Sequence, residues 1–119
     1  MDTVEVNVRF EPEKLKANSR NEAFAIITYK NNDAEKSFWC ESDVSVKPPM
    51  SLAQDISLSI GRARVGILKP NGSKEKRVRF YTLPNNFPDS YEIAITTYVY
   101  DEEGVIFQRT ESKEHIECI

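Results

Sequence analysis

The side chains that could perform chemistry are few and scattered along the chain. The single histidine, His115, stands between Glu114 and Ile116 near the C-terminus, without a nucleophile in a recognisable motif beside it. Nucleophilic catalysis needs a nucleophile held against a base that a third group orients. We therefore interpret His115 as a solvated residue at a strand end, predict no catalytic residues, and expect a protein that is not an enzyme.

The residue types that bind metals and cofactors do not form a site either. Cys40 and Cys118 belong to no CxxC or Cys/His cluster, and we expect both to be reduced, partly buried small hydrophobic residues. Asp101 opens the acidic stretch DEEG, which lacks the further ligands that calcium needs. No P-loop or GxGxxG is present, and Gly66 and Gly72 are typical of a bulge and a turn. The sequence predicts no metal and no cofactor.

The cationic stretch KPNGSKEKRVRFYT, residues 69–82, is the feature that favours binding. From residue 62 to 79 the net charge is +6, whereas the rest of the chain carries −9 and the whole chain −3. On a strand, Arg77 and Arg79 share a face about 7 Å apart, which suits carboxylates or phosphates on a partner. The predicted partner-binding residues are Arg62, Arg64, Lys74, Lys76, Arg77, Arg79 and Tyr81.

Several interpretations of this basic strand face remain open. A non-enzymatic interaction module would use it to bind a protein partner or a second copy of the chain. A solvated face would use the same cations to protect an edge strand or to pair with acids across strands. A nucleic-acid-binding β domain is the alternative function, although the pI of 5.2 and Tyr81 as the one interleaved aromatic residue speak against it. A small metal-dependent enzyme built from scattered acids is the remaining alternative.

Hydrophobic periodicity predicts the elements that would position these residues. TVEVNVRF alternates apolar and polar residues as a half-buried antiparallel strand does. YEIAITTYVY is the longest β-branched and aromatic run, and we place it in the middle of a sheet. KEKRVRFYT directs Val78 and Phe80 inward and Arg77, Arg79 and Tyr81 outward.

Other stretches are strands with less regular patterns. EAFAIITYK is apolar enough to be central, and SFWCESDVSVKPP reads as a strand that is interrupted near ESD and closed by its prolines. DISLSIGRARVGIL predicts two short strands around Gly61, and VIFQRTES either continues through EHIECI or frays there. The stretches EPEKLKAN and PPMSLAQD are each compatible with a helix of about one or two turns. The predicted core, with Trp39 as its anchor, comprises Val6, Val8, Ile27, Trp39, Val78, Phe80, Ile93 and Ile95.

These elements predict one all-β domain that spans residues 1–119. The length suits a single hydrophobic core. Seven or eight strands separated by turn signals favour an immunoglobulin-like antiparallel β-sandwich, with an up-and-down barrel as its competitor. No run approaches the ~18 apolar residues of a membrane span, and MDTVEVNVRF lacks the regions of a signal peptide. We expect a cytoplasmic protein that does not enter membranes.

The second half of the sequence also resembles a known family. GILKPNGSKEKRVRFYT followed by DSYEIAITTYVYDEEGVIF resembles the later strands of immunoglobulin-like modules called CARDB-like, or cell-adhesion-related, domains. The resemblance covers roughly residues 64 to 110. It implies a β-sandwich that mediates adhesion or serves as an accessory binding unit, and it implies no shared catalytic residues.

Overall fold

The computed structural model describes residues 2–119, and its regular structure consists of β-strands. The strands are β1 Val4–Glu11, β2 Lys14–Leu15, β3 Asn21–Asn31, β4 Phe38–Val46, β5 Met50–Ser51, β6 Ile60–Leu68, β7 Ser73–Thr82, β8 Asp89–Tyr100 and β9 Ile106–Cys118. Seven or eight short strands were expected from the sequence; the structure has seven long strands, to which the two-residue strands β2 and β5 add. They lie in EPEKLKAN and PPMSLAQD, and residues 2–119 contain no helix at either stretch.

The strands form two sheets, and the all-β sandwich prediction is confirmed. Sheet A has the order β1-β3-β7-β5, and sheet B has the order β2-β9-β8-β4-β6. Strand β8 pairs with β4 on one side and β9 on the other, so its predicted central position is confirmed. Strand β9 runs through EHIECI without fraying. All long strands pair antiparallel, and β8 and β9 do so through a short hairpin.

The core lies between the two sheets and is built by alternation along each strand. Strand β8 buries every second residue from Tyr91 to Val99. Of the predicted core, four side chains are fully buried, namely Ile27, Phe80, Ile93 and Ile95. Three more are partly buried and pack against that core, namely Val6, Val8 and Val78. A buried chain of hydroxyl groups joins the sheets, since Ser42 Oγ lies 2.7 Å from both Tyr29 Oη and Thr97 Oγ1.

The prediction of Trp39 as a core anchor is wrong. On β4 the buried face carries Phe38 and Cys40, and Trp39 between them is only half-buried. Because neighbouring residues of a strand point to opposite faces, Trp39 lies on the outer face of sheet B, where its ring centroid is 5.8 Å from that of Tyr100. Strand β4 also continues through ESD without the predicted interruption.

Strand β6 is a single strand with a bulge at Gly66, and not two strands around Gly61. Cys40 lies opposite Gly66 and Glu41 opposite Arg64, so Val65 is the extra residue. Gly66 has a φ of 90°, which glycine adopts without a steric penalty from Cβ. The interpretation of Gly66 as a bulge residue is confirmed.

Candidate interaction surface

The predicted cations lie along one open side of the sandwich, which we call the β6–β7 edge. Strand β6 ends the strand order of sheet B, and β7 pairs beyond β3 only where Met50 and Ser51 meet its last two residues. From Ser73 to Phe80 the edge of β7 that faces away from β3 therefore has no strand partner among residues 2–119. The two edges are close, because Lys74 Nζ lies 3.6 Å from the point that a Cβ on Gly66 would occupy.

The structure divides the predicted binding residues among three surfaces along this edge. Arg62 and Arg64 lie on the outer face of sheet B, where alternation along β6 places both. On β7, Lys74 and Lys76 share the inward side with Val78 and Phe80 but remain exposed at the gap between the sheets. The outer face of sheet A carries Arg77, Arg79 and Tyr81.

Arg77 and Arg79 are held by neighbours on their own sheet. Arg77 pairs with Glu11 at 3.0 Å, and Arg79 pairs with Glu22 at 3.2 Å. Their guanidinium carbons also lie 4.8 and 5.1 Å from the ring centroid of Phe24, within cation–π range. The two arginines therefore cover an outward-facing aromatic ring, and part of their charge is compensated within the chain.

Arg62 is paired as well. Its Nε lies 2.8 Å from a carboxylate oxygen of Asp43, and its Nη1 lies 3.6 Å from one of Glu41. The hydrogen bond to Asp43, followed by the negative charge of the same residue, raises the pKa of Arg62. Arg62 thus joins β6 to β4 across the outer face of sheet B.

The remaining cations of the run are uncompensated. Four exposed side chains make no ion pair with any residue of the range 2–119, namely Arg64, Lys69, Lys74 and Lys76. Three of them, Arg64, Lys74 and Lys76, belong to the two edge strands. Of the unpaired cations of the run, Lys74 and Lys76 lie at the gap between β6 and β7, and Arg64 lies beside it on the outer face of sheet B, a division that charge counting along the sequence does not show.

Tyr81 belongs to a different feature at the far end of β7. It is half-buried and lies opposite Ser51 of β5. It lines a groove of about 410 Å³ that the segment 53–57 and Pro49 also border. Tyr81 is thus separated from the uncompensated cations by the length of the strand.

The acidic hairpin is a structured turn, and the histidine lies at the surface. The Asp101 carboxylate accepts hydrogen bonds from the backbone N–H groups of Glu103 and Val105, which shapes the turn. His115 is exposed on β9, and its Nε2 lies 3.6 Å from a carboxylate oxygen of Glu92. Within residues 2–119, no three His, Cys, Asp or Glu side chains cluster as a metal site would.

A second surface was missed by sequence reasoning. It lies on the outer face of sheet B, where Trp39 and Tyr100 are neighbours of two exposed isoleucines, Ile67 and Ile106. The alternation of FWCESDVSV groups Trp39 with Glu41 and Asp43 and so carried a signal for the tryptophan. Ile67 follows the bulge at Gly66, whose effect on the outer face the sequence did not show, and Ile106 is placed by a bulge on β9 that no local pattern predicts.

Two sheets whose long strands pair antiparallel around one core define the class of this protein as an immunoglobulin-like β-sandwich. In the part of the chain that the structure describes, no helix has the length and apolar character needed to cross a membrane.

Solved structures of other proteins share this fold. A Bordetella pertussis protein described as ApaA has 16% identity and a TM-score of 0.56, over 96% of this chain and 90% of its own. A FixG-related protein from Vibrio parahaemolyticus has 11% identity and a TM-score of 0.54, over 99% of this chain and 98% of its own. The CARDB domain of a Pyrococcus furiosus protein, solved in complex with di-metal ions, has 18% identity and a TM-score of 0.52, over 98% of this chain and 86% of its own.

The CARDB domain confirms the resemblance inferred from the sequence at the level of the fold. Neither a protein-family model nor a curated protein matches the sequence.

Proposed function

We propose that the protein is a non-enzymatic interaction module that binds an acidic segment of a protein partner along its β6–β7 edge. The observation that carries the proposal is the group of uncompensated, exposed cations Arg64, Lys74 and Lys76 beside a strand edge without a backbone partner. The chain around this edge is acidic, so the positive charge is local.

Strand addition supplies the physical mechanism. An extended segment that aligns with β7 forms main-chain hydrogen bonds to the open side of Ser73 to Phe80, and side chains then provide the specificity. Alternate residues of such a segment lie about 7 Å apart, which matches the spacing of Lys74 and Lys76 on the same side of β7. Carboxylates at these positions form charge-assisted contacts, and the surrounding field steers the association.

Two observations favour protein over nucleic acid. The surface outside residues 62–79 carries −9, which repels a long phosphate backbone. Arg77 and Arg79 are already paired with carboxylates, and Tyr81 is half-buried at the far end of the strand, so aromatic stacking platforms are lacking along the cationic gap. A nucleic-acid ligand remains the second candidate for the test.

The test compares two triple charge reversals. One replaces the edge cations, as Arg64→Glu, Lys74→Glu and Lys76→Glu; the control replaces three exposed cations elsewhere, as Lys14→Glu, Lys47→Glu and Lys113→Glu. Both change the net charge equally. The probe is a labelled peptide of about ten residues that alternates Thr and Glu, the length of a long strand. Anisotropy should show salt-dependent binding that the edge variant weakens at least about tenfold, as loss of close charge pairs does, and that the control retains.

Other results would contradict the proposal. Binding that is absent in the wild type, or lost equally in both variants, rejects the edge as the site. Tighter binding of a random oligonucleotide than of the peptide supports the nucleic-acid candidate. If the edge variant aggregates but still binds the peptide, the cations protect the edge strands against aggregation, as lysine does at such positions.

A further inference from the structure

Four side chains form a continuous apolar row across the outer face of sheet B. Ile67 of β6 lies opposite Trp39 of β4, Trp39 lies opposite Tyr100 of β8, and Tyr100 lies opposite Ile106 of β9. Ile67 and Ile106 are 55% and 53% exposed, and the two aromatic residues are half-buried between them. Single exposed apolar residues are ordinary, but a contiguous set on a sheet face indicates an interaction site.

Two bulges create this row. On β6 the extra residue Val65 changes the alternation, so that Ile67 points outward. On β9 the pairing shifts by one residue between Val99 and Tyr100, so that Ile106 points outward. Phe107 is left to pack on Phe38, with ring centroids 4.8 Å apart. Bulges re-aim side chains, and here both do so at the same level of the sheet.

Opposite charges lie on the two sides of the apolar row. Beyond Tyr100, the β8–β9 hairpin carries Glu102 and Glu103, which are exposed and form no ion pair within residues 2–119. On the other side lies Arg109, whose guanidinium carbon is 5.9 Å from the ring centroid of Tyr98. Within the chain Arg109 pairs with Glu111 at 2.7 Å, an exposed ion pair of the kind that is weak in water. A notch of about 310 Å³ separates the hairpin from the aromatic rings; Trp39, Tyr100, Asp101, Glu102 and Gly104 line it.

We propose that a second copy of this chain packs on the outer face of sheet B, related by a two-fold axis that runs along the apolar row. This axis places each residue of the row against its own symmetry mate. It also brings the hairpin side of one copy against the Arg109 side of the other. Arg109 of each copy then enters the notch of its mate, where it meets Glu102 and the ring of Tyr100.

The charge pattern is what selects a second copy as the occupant. The hairpin acids Glu102 and Glu103 form no ion pair within residues 2–119, and in this orientation Arg109 exchanges its exposed partner Glu111 for Glu102 of the mate, so the face is complementary to itself as an isologous interface requires. One like-charged pair, Arg64 opposite Lys69, falls at the exposed rim, where charge interactions in water are weak. Lys74 and Lys76 lie outside this surface, whereas Arg64 lies at its rim, so Lys74→Glu with Lys76→Glu is the edge variant that tests peptide binding independently of the dimer.

Sedimentation equilibrium of the full chain between about 10 µM and 1 mM, the range of weak, small interfaces, tests the dimer. We expect a reversible monomer–dimer equilibrium. Ile67→Lys with Ile106→Lys should raise the dissociation constant at least about tenfold, as loss of central apolar contacts does. The control is Ile56→Lys with Ile60→Lys, which changes two isoleucines that are 67% and 64% exposed but lie outside the row. It should leave the equilibrium unchanged.

A charge exchange tests the orientation. Glu102→Arg alone and Arg109→Glu alone should each weaken the dimer, whereas the two changes together should restore it, because the complementary pair is re-formed with reversed signs. A monomer at every concentration overturns the proposal. A dimer that persists after Ile67→Lys with Ile106→Lys also overturns it, whatever the effect of the edge variant. A combined Glu102→Arg and Arg109→Glu variant that does not restore the dimer overturns it as well.

Discussion

At the scale of single residues, Trp39 shows how the pleat of a strand decides which side chain is structural. Its neighbours Phe38 and Cys40 are buried, while its own indole packs edge-to-face on Tyr100 at the surface. An aromatic pair of this kind contributes about 0.5–1.5 kcal/mol beyond its buried area. Trp39 therefore contributes moderately to stability, and its exposed part is available to a partner.

Truncation of Trp39, compared with truncation of the core residue Phe80, tests this assignment. Trp39→Ala should lower the free energy of unfolding by about 1–2 kcal/mol, since it removes a half-buried surface contact. Phe80→Ala, at a site that is 1% exposed, should cost about 3–5 kcal/mol because it leaves a cavity. Urea denaturation measures both. Equal losses would return Trp39 to the core.

Two buried acidic groups predict how stability depends on pH. Burial raises the pKa of the Cys40 thiol from 9.0 to about 11, with the charge of Lys74 acting in the opposite direction. Burial likewise raises the pKa of Tyr29 from 10.0 to about 12, against the effect of its hydrogen bond to Ser42. The folded state holds both protons more tightly than the unfolded state. The stability that this contributes is complete below pH 9 and is lost as the pH rises.

We therefore expect the urea midpoint to fall above pH 9, in two overlapping parts. Cys40→Ala should remove the part between pH 9 and 11, and Tyr29→Phe the part between pH 10 and 12. A midpoint that is constant up to pH 11 in the wild type would show that neither group is held in its neutral form by the fold.

At the scale of elements, the bulge of β6 determines which residues face the core. In a regular strand Leu68 would lie on the same face as Arg62 and Arg64, because even numbers of positions separate them. The bulge instead lets Leu68 enter the core while the two arginines point outward. Gly66 permits this with its positive φ. The bulge therefore ties a backbone conformation to both the packing of the core and the composition of the outer face.

Glycine-to-alanine substitutions within β6 measure this contribution. Gly66→Ala should cost about 1–2 kcal/mol, because alanine in a left-handed conformation is strained. Gly61→Ala is the matched control: its φ is not positive, and the added methyl group meets only the end of the flexible Leu52 side chain, at 3.0 Å. It should cost less than about 1 kcal/mol, the usual range for surface changes. Equal costs in thermal unfolding would contradict a role for the positive φ.

At the scale of the whole molecule, three of the seven cations in residues 62–79 form ion pairs within the fold. Arg62, Arg77 and Arg79 pair with acids of neighbouring strands, so only part of the net charge of +6 is open to a partner. The uncompensated cations lie along an open side of the sandwich, whereas the apolar row lies on the outer face of sheet B. The molecule thus offers two separate surfaces, one electrostatic and one apolar.

The sequence by itself determined the features that depend on neighbouring residues. A period of two is local, so it located the long strands, although it divided β6 into two, and it gave the inward positions of Phe80, Ile93 and Ile95. Composition and turn residues likewise determined the all-β class and the bulge at Gly66.

The tertiary structure alone decided what depends on pairing between strands that are distant in sequence. Whether Arg77 is free or bound to Glu11 depends on the order β1-β3-β7, which no local pattern contains. The positions of Ile67 and Ile106 depend on where an extra residue interrupts the register with the neighbouring strand. A shift of one residue moves a side chain to the opposite face. For this reason both proposed surfaces became visible only once the register between the strands was known.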